Sequence, residues 1–90
     1  MAEPSLTYRE SVAIRLGSLI REQREHAGLT QQDLADTLGV TQTAVSYWES
    51  GVRLPDLAVL IRTARALHVG AGELVQRTAA TVEWTWEATR

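Results

Sequence analysis

Apolar residues recur along most of this chain at spacings of three and four, in stretches divided by glycine, and only near the end does the spacing fall to two. Val12, Leu16, Leu19, Ile20 and Ala27 fall on one face of a first helix, which begins either after Thr7 or at Ser11 and stops at Gly28. Thr7 and Glu10 stand three apart, the spacing of a capping box. Thr30 caps a second helix, Gln31 to Leu38, whose apolar residues are Leu34, Ala35 and Leu38; Gly39 ends it. Two turns of helix are too short to persist alone, so this segment must lean on its neighbours. Thr41 caps a third helix, Gln42 to Ser50, in which Val45 and Trp48 share a face with Ala44, and Gly51 closes it. After a loop over Val52 to Pro55, Asp56 opens a fourth helix with the stripe Leu57, Leu60, Ile61, Ala64 and Leu67. A short fifth helix around Ala71 to Gln76 adds Leu74 and Val75, with Gly70 as a weak cap that predicts fraying. From Thr81 the pattern changes: Val82, Trp84 and Trp86 alternate with Thr81, Glu83, Thr85 and Glu87, which predicts a short strand. The reading is all-α: five helices and a C-terminal strand, divided into an N-terminal arm (1–10), a helical domain (11–78) and a tail (79–90).

Composition narrows the chemistry. Ninety residues, 44% of them hydrophobic and 22% charged, support one small globular domain. Cysteine is absent, which excludes disulfides and thiolate metal sites, and His26 and His68 stand apart from any carboxylate cluster, so no metal or cofactor is expected. No phosphate loop, nucleophile–base set or carboxylate pair suggests an enzyme. The first ten residues lack the apolar core of a signal peptide, and no apolar run approaches the ~18 residues of a membrane span, so the expected address is the cytoplasm. All nine basic residues are arginine, set against eleven acidic ones for a net charge of −2. Nucleic-acid binders usually carry a basic excess, so any binding here must depend less on charge.

The informative stretch is Leu29 to Pro55, LTQQDLADTLGVTQTAVSYWESGVRLP: two short helices across a tight turn at Gly39, an arrangement that presents its second helix to the major groove of DNA. Gly39 accepts a backbone conformation that a side chain disfavours, Val40 plugs the turn, and the small Ala35 lets the helices approach closely. Leu29-Thr30-Gln31, Leu34-Ala35, Leu38-Gly39-Val40, Val45-Ser46, Trp48-Glu49 and Gly51, then Pro55 and the run Leu60, Ala64, Leu67, Val69, Leu74, resemble the Cro/cI-type (XRE-type) helix-turn-helix family of phage repressors and bacterial regulators over roughly residues 14–75. The resemblance implies a lambda-repressor-like DNA-binding domain. It implies that Gln42 and Thr43, and on the next turn Ser46 and Tyr47, meet base edges, and that Gln31, Thr41, Ser50 and Arg53 hold the phosphate backbone. Glutamine can pair bidentately with adenine, and threonine can meet a thymine methyl. Trp48 shares the inward face of Val45 and belongs to the core. Glu49 is paired by the family with a basic residue late in the first helix, here Arg24, as a structural ion pair.

One such domain reads only a few base pairs, so a homodimer on double-stranded DNA is expected. A lone strand needs a partner, and a two-fold pair centred on Trp84 would set Val82 opposite Trp86, making Val82, Trp84 and Trp86 the dimer interface; centring on Thr85 would oppose Glu83 to Glu87. The fifth helix with its flanks is a second candidate surface. The tail could also fold onto its own domain, remain disordered, or add to another protein's sheet. The functional expectation is a sequence-specific transcriptional regulator acting as a repressor. Two alternatives stand beside it: a DNA-binding antitoxin whose tail holds a toxin, and a protein-interaction adaptor on the same fold.

Overall fold

Four of the five helices begin on a side chain that accepts a backbone N–H left unpaired by helix geometry. The computed structural model describes residues 6–82, where α1 spans Tyr8–His26, α2 Gln31–Leu38, α3 Gln42–Ser50, α4 Leu57–Ala66 and α5 Ala71–Thr81. Thr7, Thr30, Thr41 and Asp56 accept from the backbone N–H three residues on. At Thr7 and Thr30 the box is reciprocal: the Glu10 and Asp33 carboxylates take the cap residue's own N–H at 2.8 and 2.9 Å. These bonds from the Thr7 and Thr30 backbone, then from the threonine hydroxyls, hold both carboxyls below their ordinary range. Gly70 opens α5 with no side-chain bond, which makes it the least protected start.

The turn between α2 and α3 closes at Gly39, with φ 71° and ψ 32°, the left-handed region that favours glycine. Gly51 ends α3 in the same region, and a Cβ there would also stand 2.8 Å from the Ile14 side chain.

Helix α1 packs on α3 and α5, α2 on α3 and α4, and α4 on α5. Leu19, Ile20, Leu34, Val45 and Leu74 are enclosed at the centre, with Leu16, Leu38, Trp48, Leu60 and Leu67 around them. The α1–α3 seam is the tightest contact: a Cβ on Gly17 would lie 2.0 Å from the Trp48 carbonyl oxygen. Glycine inside α1 costs helix propensity, and the close approach of α3 is what it permits.

Three expectations change. In α4, Leu57 (70% exposed) and Ile61 lie outward, and Thr63 takes an enclosed place instead, its hydroxyl satisfied by the Val59 carbonyl at 2.7 Å. Val12 is half-buried and Ala27 exposed, while Ala13 and Gly17 complete the buried face of α1. Helix α5 runs five residues past its expected end, through Ala79 and Ala80 to Thr81, because helix-favouring residues and the packing against α1 carry it into the alternating stretch. No strand occurs among the described residues; the alternation from Glu83 onward, with Trp84 and Trp86, lies outside them. Among the described residues no helix is long and apolar enough to cross a membrane.

Candidate nucleic-acid interface

Helix α3 presents two unlike faces because its nine residues alternate between packing and polar types at helical spacing. Val45, Trp48 and Glu49 point inward and are buried. Gln42, Thr43 and Tyr47 are exposed and Ser46 is half-buried, so these four form the outward face. Thr41 and Ser50 mark the two ends of the helix and are exposed. The Thr41 hydroxyl is engaged in capping, and the Ser50 hydroxyl donates to the Tyr47 carbonyl at 3.3 Å.

The inward face carries a charge as well as hydrocarbon. Arg24 Nε donates to Glu49 Oε2 at 2.6 Å and Arg24 Nη2 to Glu49 Oε1 at 3.0 Å, a two-pronged bond whose side chains are only 9% and 3% exposed. The third guanidinium nitrogen, Nη1, donates to the Leu29 carbonyl at 2.6 Å, just ahead of the Thr30 cap. The Glu49 hydrogen bond raises the Arg24 pKa against the opposing effect of burial, and the charges of Glu49 and Glu25 add to it. Buried and bidentate, this pair ties the end of α1, the start of α2 and the last turn of α3 to one another.

A polar relay leads from that pair to the surface. The Gln31 amide donates to Glu49 Oε1 at 3.0 Å, and the Gln42 amide reaches the Gln31 side-chain oxygen at 3.5 Å. Gln31, which the family resemblance sets against phosphate, is thus half-buried and oriented by a carboxylate. The bond from Gln31 to Glu49 had no signature in sequence, since the two residues stand eighteen apart and neither spacing nor composition joins them. At the other end of α3, the Arg53 guanidinium stands 5.7 Å from the centre of the Tyr47 ring. Thr41, Thr43, Tyr47 and Arg53 border one shallow surface depression with Asp56. Thr41, Thr43, Tyr47 and Arg53 therefore share one side of the molecule and Gln42 meets Gln31, whereas Val82 borders a different recess, buried at the end of α5.

No group of three or more metal-binding side chains occurs among the described residues.

A family model described as helix-turn-helix matches residues 20–74, more than half of the sequence. The chain belongs to the helix-turn-helix family. This helix-turn-helix protein is 46% identical over 50 residues to an HTH-type transcriptional regulator of Methanothermobacter thermautotrophicus, covering 56% of this chain and 72% of that one. It is 32% identical over 64 residues to the cryptic phage CTXphi transcriptional repressor RstR of Vibrio cholerae, covering 71% and 57%. Against further curated relatives it spans about half their length. Among solved structures it resembles the restriction-modification controller protein C.AhdI of Aeromonas hydrophila, with a TM-score of 0.66 and 32% identity over 69% of this chain and 94% of that one. The Cro/cI-type resemblance and the five-helix fold stand, and the family's work is transcriptional regulation, not catalysis.

Proposed function

We propose that this chain binds double-stranded DNA sequence-specifically, as a symmetric dimer, and represses transcription by occupying its site. The observation that carries the reading is the outward face of α3: four polar side chains on a helix whose other face is fixed by Trp48 and the Arg24–Glu49 pair. A groove-reading helix needs both properties, since base-edge hydrogen bonds are short and directional and lose their discrimination when the helix can rock. Gln42 and Thr43, at the helix start, are assigned to base edges, with Ser46 and Tyr47 one turn on. Gln31, Thr41, Ser50 and Arg53 are assigned to the phosphates. Repression is supported by the similarity to a phage repressor.

Dimerisation is supported by the α4–α5 side. Leu57 is 70% and Val75 49% exposed, and both border an apolar groove of about 430 Å³ that continues through Leu54 and Pro55 to the reading side. A second copy on this face would bury apolar surface that a monomer leaves wet, and would set two α3 helices toward half-sites about 34–36 Å apart. With a net charge of −2, non-specific affinity through phosphate neutralisation is low, and fewer than about six phosphates per protomer are neutralised.

The deciding experiment selects sites for the full chain from a random duplex pool. Enrichment of a two-fold-related sequence supports the reading, and Gln42→Ala should then relax the preference at one base pair of each half-site by about 1–3 kcal/mol. Recovery of no enriched sequence would overturn sequence-specific binding, and enrichment of a single half-site would overturn the dimer.

A further inference from the structure

At the far end of α5 the chain leaves its last described residue, Val82, in a recess on the outer side of α1. Val82 is extended (φ −85°, ψ 130°) and only 8% exposed. The recess holds about 360 Å³ and is bordered by Leu6, Ile14, Arg15 and Thr81 as well. It is unfinished in two respects. Leu6 and Ile14 are 57% and 47% exposed, an apolar pair left wet. Arg15 Nε is buried and has no hydrogen-bond partner among the described residues, which leaves a charged group's donor without an acceptor. Among the described residues every other buried side-chain polar atom has a partner.

Eight residues, Glu83 to Arg90, follow Val82, and they begin at this recess. Their composition is the complement of what the recess lacks. Glu83 and Glu87 are carboxylates, the acceptors a guanidinium N–H takes at shortest range. Trp84 and Trp86 are large flat apolar groups. Glu83 and Trp84 are the first two residues after Val82, so the carboxylate and the indole both start from the border of the recess.

We propose that the recess is the docking site of the chain's own last eight residues: Trp84 covers Ile14 and Leu6, and the Glu83 carboxylate accepts the Arg15 Nε–H. The tail then closes the outer side of the α1–α5 seam within each protomer. It does not serve as the link between protomers, which leaves the α4–α5 face free for that purpose. The docking does not depend on DNA binding, so it stands or falls apart from the function proposed above.

Acrylamide quenching of tryptophan emission in the full chain tests it. Trp48, 7% exposed, serves as the buried reference, and Trp84→Phe and Trp86→Phe assign the remaining signal. The expected result is that Trp84 is protected, and that Arg15→Gln and Glu83→Gln each raise its quenching constant at least about twofold with helicity unchanged, while Glu87→Gln does not. Because Glu83 belongs to none of the five helices, Glu83→Gln keeps the test open if Arg15→Gln fails to fold. Full quenching of Trp84 in the unmodified chain would overturn the docking. Protection that disappears on dilution would overturn its intramolecular form in favour of a tail exchanged between copies. Protection insensitive to both Arg15→Gln and Glu83→Gln would overturn the pairing.

Discussion

The seam between α1 and α3 is closed, whereas the surface shared by α4 and α5 is open. At the seam, Gly17 lets two helices meet backbone to backbone, and a bidentate ion pair closes what remains. On the α4–α5 surface, Leu57, Ile61 and Val75 face outward, and Leu57 and Val75 border an open groove. Backbone contact and a buried ion pair fix the seam, the footing that the proposed groove-reading helix would need. The other surface has unspent apolar area, as a partner requires. Close packing and open apolar area are thus carried mainly by different residues of a small molecule.

The comparison breaks most severely at the ion pair. Glu49→Ala should destabilise the fold by about 3–5 kcal/mol in denaturant titration, because it strands the Arg24 guanidinium in the interior. The double variant Arg24→Met/Glu49→Leu should recover much of that loss, and purely additive losses would show that the two groups act independently. Next comes Gly17→Ala, expected to cost about 1–3 kcal/mol by forcing α1 off the Trp48 carbonyl, read as a lowered unfolding midpoint. Neither change should alter self-association once the chain is folded.

The opposite variant sharpens the contrast. Leu57→Asp should leave the unfolding midpoint of the protomer within about 0.5 kcal/mol, as befits an exposed position, yet weaken dimerisation at least about tenfold in sedimentation equilibrium. An unchanged dimer would move the interface away from α4. The smallest effect belongs to pH. Glu10 and Asp33 have folded-state pKa values below their unfolded ones, so the stability they lend is complete above the ordinary carboxylate range and is lost as pH falls through the lowered values. The starts of α1 and α2 should therefore loosen in acid, seen as loss of amide protection at Glu10 and Asp33, while the Thr41 cap of α3, which has no carboxylate, should not respond.

Local chemistry made much of this legible in advance. Each predicted threonine cap is a cap because its hydroxyl lies three residues before the N–H it accepts, and a single helical turn settles that. Gly39 and the inward pair Val45 and Trp48 follow from the same short range. The end of α5 was misread for the converse reason: an alternating pattern with β-forming residues begins at Thr81, but helix propagation from Ala79 and Ala80 and contact with α1 are decided outside that window. Leu57 and Ile61 fit an apolar stripe at helical spacing, and spacing alone cannot say how wide a stripe the neighbouring helices will cover.

What the sequence determined by itself was the order of helices, their caps, the turn at Gly39, and which residues of α3 could face outward, since all of these depend on groups within about a turn of one another. The tertiary structure alone decided the relay from Glu49 through Gln31 toward Gln42, the approach of α1 to the Trp48 carbonyl, and the unpartnered Arg15 nitrogen at the end of α5. Each of those joins or isolates atoms on different helices, and only packing sets the distance between them.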